Sequence, residues 1–313
     1  MKVELIGYDG RVYTMPTVLR WRLLRTGQVP CDDLEVTCVY DGTLLGVMPE
    51  ISRFRATENG VTALSGVVDE YAAAATEEGL LLTVSGRGMA ALLLDNEAEA
   101  ATYQDTTTAE ILRNHAAPYG IVCRRARELV CGGSYQVKSG SSQWKALSGF
   151  THFTGGFVPY FTASGELVAE PMARSGQRLV IDGGTPVLRC TRREKRYGVL
   201  SEVLVKDKTR KTEQRVVNRP FLDRGGCRRQ VLYTPGRSSY AAMRYTGSYQ
   251  IEQSAQGSSQ IEVKLPGALA AEPGDWVELS YGPLGLSGTY DVVSAESRGG
   301  PEGAATTIIL EEP

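Results

Sequence analysis

Apolar and polar residues alternate along most of this chain with the two-residue period of a β-strand, and only the interval 79–121 reads mainly as helix. Leu34, Val36, Cys38 and Tyr40 alternate with Glu35 and Thr37, a pattern that buries one face of a strand. Segments 3–6, 18–23 and 61–68 carry the same short-strand signature. Asp9-Gly10, Asp41-Gly42 and Asn59-Gly60 punctuate them as hairpin turns, the glycine supplying a positive φ. Residues 1–85 are therefore predicted to form a small, closed or nearly closed antiparallel β-barrel.

Within the helical interval, 80–84 is an apolar run ended by Ser85-Gly86, and the apolar block 89–94 fits the first turns of a helix. Thr107-Thr108-Ala109-Glu110 has the spacing of a capping box, in which a Thr hydroxyl and a Glu carboxylate satisfy free amides of the first turn. Ile111, Leu112, His115 and Ala116 then share a helical face, and Pro118-Tyr119-Gly120 stops the helix. The expected order is strand, short helix, loop, capped helix, strand. Gly86-x-Gly88-x-x-Ala91 matches the loose dinucleotide fingerprint, but no parallel-sheet alternation surrounds it. The pair of glycines reads instead as a tight turn, with Arg87 solvated or paired structurally.

Further along, two strand candidates flank Cys131-Gly132-Gly133, Ser142 is positioned to cap a helix over 143–150, and Ala163-Ser164-Gly165 separates the arms of a hairpin, 157–161 and 167–170. Residues 86–185 thus read as α/β insertion modules. Polar strands follow between 187 and 233, and 241–313 reads as strands joined by Pro and Gly turns, a second small barrel, with Ile251 in its first strand. The fold class predicted is mainly β with α+β insertions: two small antiparallel β-barrels bracketing small α/β modules. Segment 186–240 either completes the first barrel or links the parts.

The basic residues of that segment are the one concentration of charge. Arg192, Arg193, Arg196, Lys208 and Arg210 are candidate interface residues. A nucleic-acid groove would interleave such charges with stacking aromatics, whereas here Glu194, Glu202, Asp207, Glu213 and Asp223 break the field, which suits a solvated two-stranded ribbon or a contact with an acidic partner.

At 313 residues the chain can bury two or three cores, and its net charge of −2 points to neither nucleic acid nor membrane. No apolar run is long enough to span a bilayer, and the first residues are strand-like without a signal-peptide core, so cytoplasmic synthesis is expected. Six cysteines are scattered without a CxxC pair and read as free, mostly buried thiols; no metal or cofactor site is expected. The two histidines make poor catalytic bases: His115 lies on an apolar helical face, and His152 has neither a nucleophile elbow nor an HExxH motif beside it. No pair among the acids stands out, Asp69-Glu70, Glu77-Glu78 and Glu311-Glu312 all falling at strand ends or turns. No catalytic residue is expected.

The order of parts resembles the baseplate hub family of contractile phage tails and tailocins, of the Mu-like and Bacillus-prophage type, with the T4 hub as a distant relative. The residues that carry the resemblance are Gly66-Val67-Val68-Asp69-Glu70, the run from Val84 to Ala98, and Ala117-Pro118-Tyr119-Gly120-Ile121. Gln143-Trp144, Val158-Pro159-Tyr160, Gly165-Glu166-Leu167-Val168, Pro273-Gly274-Asp275-Trp276-Val277 and Gly288-Thr289-Tyr290-Asp291-Val292 extend it along nearly the whole chain. The resemblance implies a non-enzymatic homotrimer whose ring of barrels adapts the six-fold tail tube to the three-fold spike. Spike protein and tail tube protein would be its partners, with tape-measure protein, DNA or effector passing through the lumen. Without it, two other classes fit a β-rich chain: a carbohydrate-active or peptidoglycan-processing enzyme, or a polysaccharide- or nucleic-acid-binding barrel using aromatics such as Tyr281 and Tyr290.

Overall fold

The computed structural model describes residues 1–26, 31–39, 42–77, 79–132, 134–174, 176–234 and 240–313. It is mainly β, with antiparallel pairing dominant. The largest sheet has 13 strands. Strands Lys2–Gly7, Val12–Thr14, Val18–Thr26, Asp33–Val39, Ile51–Glu58, Val61–Thr76 and Gly79–Gly88 make its N-terminal half around one core, in which Leu5, Cys38, Phe54, Leu64 and Leu82 are buried. Strands Arg178–Ile181, Arg189–Glu194, Ser259–Pro266, Trp276–Tyr281, Leu286–Gly300 and Gly303–Glu311 make the other half around a second core that includes Val263, Val277 and Ile308.

One long strand joins the halves. Leu286–Gly300 pairs at its start with Trp276–Tyr281 and towards its end with Val18–Thr26, a register shift between Val292 and Ser294 marking the bend. Bulges of this kind turn a strand from one surface to the next. Arg22 reinforces the seam, its guanidinium 2.6 Å from Asp33 and 3.3 Å from Glu296 across it.

Strand Val61–Thr76 outruns its neighbour. Ile51–Glu58 covers one edge of it only as far as Val67, whereas Gly79–Gly88 follows the other edge to Thr76. From Asp69 to Thr76 every residue is exposed, so the end of this hairpin stands clear of the core, and among the described residues no strand follows its second edge beyond Val67.

Several local expectations match. Asn59 and Gly60 both have positive φ in a tight hairpin, and Gly10 and Gly165 do so in theirs. Thr107 caps helix Thr108–His115 by accepting from the Glu110 amide at 3.2 Å. The reciprocal half of the box differs: the Glu110 carboxylate accepts from the Thr106 hydroxyl at 2.7 Å instead. Ser142 caps helix Gln143–Gly155, which runs past 150 to the left-handed Gly156. These helices, the short helix Ala91–Leu94 and a three-stranded sheet of Tyr160–Phe161, Leu167–Ala169 and Cys123–Ala126 enclose a third core.

Other expectations are corrected. Gly86 and Gly88 do not form a tight turn; both lie within strand Gly79–Gly88. The loop before the capped helix holds a strand, Ala101–Gln104, which pairs with Ser134–Val137, so the strands flanking residues 131–132 belong to different sheets. Strand Ile51–Glu58 and helix Gly42–Val47 were not read from the pattern. Gly42 opens that helix, while Asp41, the other half of the expected turn there, lies outside the described residues, as do Tyr40, Glu78 and Gly133. Segment 241–313, expected to be strand throughout, opens with helix Tyr240–Ala255, and Ile251 lies in it. That helix packs on a sheet of Glu202–Asp207, Thr212–Val217 and Arg229–Thr234, where Met243 joins Val203 and Val205 in a fourth core. The basic ribbon therefore has a parallel third strand and a helical cover. All six cysteines are free thiols, but only Cys38 and Cys131 are fully buried, and Cys227 is exposed.

Candidate functional site

Strand Arg189–Glu194 is an edge strand. Among the described residues it pairs with Ser259–Pro266 alone, and neighbouring side chains project to opposite faces. Arg192 and Arg193 are both exposed for that reason. Arg192 shares a face with Glu194 and lies 3.0 Å from it, a surface pair of small energetic weight. The chain then leaves the strand through Lys195 and Arg196. Arg196 Nη2 donates to the Arg224 carbonyl at 2.9 Å.

Arg224 is placed by a short helix. Asn218 accepts from the Phe221 amide at 3.3 Å and Pro220 occupies the first turn, so helix Arg219–Asp223 turns Arg224 back towards Arg196. The result is an open groove with Arg192, Lys195, Arg196 and Arg224 on its walls and Val199 and Phe221 among its apolar lining. Glu194 is its one acidic lining residue. Lys195 and Arg224 were not singled out from the sequence, although the Asn218-Arg219-Pro220 start signal marks the helix that positions Arg224.

Lys208 and Arg210 lie elsewhere. They sit in the hairpin turn between Asp207 and Thr212, a strand length of roughly 20 Å from Glu202. The buried Asp207 carboxylate holds that turn by accepting from the amides of Thr209 at 2.8 Å and Arg210 at 3.0 Å. Lys208 Nζ stands 4.4 Å from the Tyr233 ring centre, over its face. The structure thus brings Arg192 and Arg196 to one groove, sets Arg193 on the opposite face of the same edge strand, and separates Lys208 and Arg210 from both.

A second cleft, of about 320 Å³, opens where the first half-sheet, the α/β core and the second half-sheet meet, and Arg25, Asp32, Trp144, Tyr160, Glu272 and Asp275 line it. Arg25 is buried, with Nη1 3.1 Å from Asp32 and Nη2 2.9 Å from Glu272. Burial pushes the Asp32 carboxyl above the usual range, while the Arg25 charge opposes the rise. Arg25 is therefore a tie between the halves.

The histidines are both packed. His115 Nδ1 lies 2.7 Å from Gln143 Oε1, and Tyr103 Oη lies 3.1 Å from Nε2. The Gln143 amide nitrogen is engaged in donating to Glu97 O and Tyr119 Oη, so its oxygen accepts and Nδ1 carries the proton. The His152 ring centre lies 4.3 Å from that of Tyr249, tilted by 46°, on the helix that follows the basic sheet. Tyr290 is buried in the second core and Tyr281 packs against it, so this pair does not form the exposed stacking face that an oligonucleotide-binding barrel would use. Arg87, beside the would-be fingerprint glycines, is fully engaged with carboxylates, 2.8 Å from Asp69 and 2.6 Å from Asp95.

No protein-family model matches the sequence, and neither does any curated protein. Solved structures do match. The 43 kDa tail protein of prophage MuSo2 from Shewanella oneidensis superposes with a TM-score of 0.82 at 15% identity, over 100% of this chain and 99% of that one. A tail protein from Neisseria meningitidis MC58 gives 0.81 at 16% identity, over 99% and 96%. The E. coli c3393 protein, described as a type VI secretion component similar to T4 tail proteins gp27 and gp5, gives 0.59 at 12% identity, over 100% and 77%. From end to end, the chain has the fold of phage tail proteins of the Mu-like prophage type, the likeness its sequence had suggested.

Proposed function

We propose that this chain is the structural baseplate hub of a contractile tail or tail-like injection particle, and not an enzyme. The observation that carries the reading is the superposition on prophage tail proteins along the entire chain, including the insertions between the two half-sheets. In this reading each half-sheet is a tube-like barrel, the first built from residues 1–85 and the second centred on 241–313 with the strands that flank its core. Three copies close into a ring, so that six barrels meet the six-fold tail tube and the three-fold spike binds beneath. Tube protein and spike protein are the partners, tape-measure protein, DNA or effector passes through the lumen, and nothing inserts in a membrane. No described helix is long and apolar enough to cross one. The protein is assembled in the bacterial cytoplasm and ends in the baseplate. The surface around Arg192, Arg193 and Arg196 serves as a subunit contact, and the Lys208–Arg210 turn belongs to a separate one.

Light scattering of the purified chain, alone and with the product of the adjacent spike gene, tests this. The expected mass is a trimer, or three copies bound to three spike chains. A monomer that remains one with the spike present overturns the reading.

A further inference from the structure

The basic groove beside strand Arg189–Glu194 carries charge that the fold itself does not answer. Four cations, Arg192, Lys195, Arg196 and Arg224, face one carboxylate, Glu194, which Arg192 already holds at 3.0 Å. Lys195, Arg196 and Arg224 make no ion pair among the described residues. The Arg196 guanidinium donates to the Arg224 carbonyl at 2.9 Å, and Arg224 Nε donates to the Pro220 carbonyl at 3.0 Å. Folding therefore gathers like charges in one place, a cost that an arriving anion relieves.

The lining says which anion. The groove encloses about 620 Å³, and its apolar part is formed by the buried Val199 and the half-buried Phe221 and Ala255. Room for an apolar side chain among cations suits a peptide in which acidic residues flank an apolar one. A single-stranded nucleic acid would want free ring faces to stack on. Here Phe221 lies against Gly226, where a Cβ would come 2.3 Å from its Cδ1, and Tyr197 has the Arg228 guanidinium 5.3 Å from its ring centre. The chain does not complement itself either. Among the described residues no stretch sets two unpaired carboxylates around an exposed apolar side chain, and in Glu97-Ala98-Glu99 the central residue is buried.

We infer that this groove receives an acidic segment of a different protein of the particle, its carboxylates on Lys195, Arg196 and Arg224 and one apolar side chain against Val199 and Phe221. This rests on the hub reading above, in which other tail proteins meet this chain, and gives the groove side of the proposed contact to one of them. The test measures fluorescence anisotropy of a labelled peptide, one leucine between two pairs of glutamates, with the full chain. The same peptide with glycine for leucine and a short oligothymidylate of equal charge are the comparison probes. The leucine peptide is expected to bind with a Kd of about 1 mM or below, several-fold tighter than either comparison probe, and to weaken as salt rises. Lys195→Glu with Arg224→Glu is expected to weaken it about tenfold or more, and Lys195→Gln with Arg224→Gln by less. Both side chains are exposed, so the variants fold, which a thermal melt verifies, and light scattering is expected to give them the wild-type mass. Absence of binding, equal binding of the two peptides, or binding unchanged in the variants overturns the inference, and a wild-type trimer then leaves the hub reading standing. An oligothymidylate bound more tightly than the peptide makes the groove a nucleic-acid site, and a mass lost on charge reversal makes its occupant a second copy; either result overturns it too. A monomer that binds the peptide overturns the ring and keeps the groove.

Discussion

Gly86 shows how a single missing side chain can be misread. A Cβ there would come 2.2 Å from Val67 O and 2.7 Å from Phe54 Cε1, and one on Gly66 would come 2.0 Å from Arg87 O and 2.9 Å from the same ring. The two glycines sit diagonally on paired strands, Gly66 opposite Gly88 and Gly86 opposite Val68, and both make room for Phe54, one of the buried anchors of the first core. A spacing that matched a phosphate-binding loop is thus a packing device. Gly86→Ala is expected to destabilise the protein by about 1–3 kcal/mol through overpacking, measured by urea unfolding; a loss below about 0.5 kcal/mol would mean that both the Val67 backbone and the Phe54 ring have room to move. His115 was legible as a packed histidine because its helical face is apolar. Its partners Tyr103 and Gln143 were not, since they come from two different elements.

At the scale of elements, the sequence is legible where a local signal coincides with a buried face. Thr107 and Ser142 cap their helices as their positions suggest, and Leu93, in the short helix after the long strand, is wholly buried with Ile111, Leu147 and Phe150. Leu93→Asp is expected to unfold the α/β core, because an unpaired carboxylate there costs several kcal/mol, roughly a third or more of the stability of a typical domain. Limited proteolysis reads this as new cleavage within 89–170, and an unchanged digest would remove Leu93 from that core. Helix Tyr240–Ala255 was illegible for the converse reason. Tyr240, Tyr245 and Tyr249 are exposed while Met243 is fully buried, so no apolar stripe announces a helix. What seats it is tertiary: Gly247, where a Cβ would come 2.5 Å from Val216 Cγ2, lets the helix lie close on the sheet. Strand Ile51–Glu58 escaped because Arg53 and Arg55 interrupt its apolar residues and its register slips between Ala56 and Thr57.

At the scale of the whole molecule, the expectation of two β units bracketing helical insertions is matched in outline, while the way the units are joined follows from long-range pairing that no local window contains. Arg25 is the clearest case. It ties Asp32, near it in the chain, to Glu272 in the far half. Arg25→Met would leave Asp32 buried without its cation, and breaking such a pair costs about 3–5 kcal/mol. Since burial already raises the Asp32 pKa above its unfolded value, its protonated form is the one the fold tolerates. Its contribution is full below the unfolded pKa and is lost as pH rises through the higher folded value. The variant is therefore expected to lose most stability at neutral pH and less in mild acid, as urea unfolding at both pH values would show; an equal loss at both would place the effect on Glu272 alone. Strand Leu286–Gly300 has a different consequence. It runs through both halves without an intervening linker and is bonded along both flanks at successive points. A pull along its axis would load those bonds together, in shear, where a turn between the halves would peel open one bond at a time. Tension entering one half is handed to the other with little slack to absorb it.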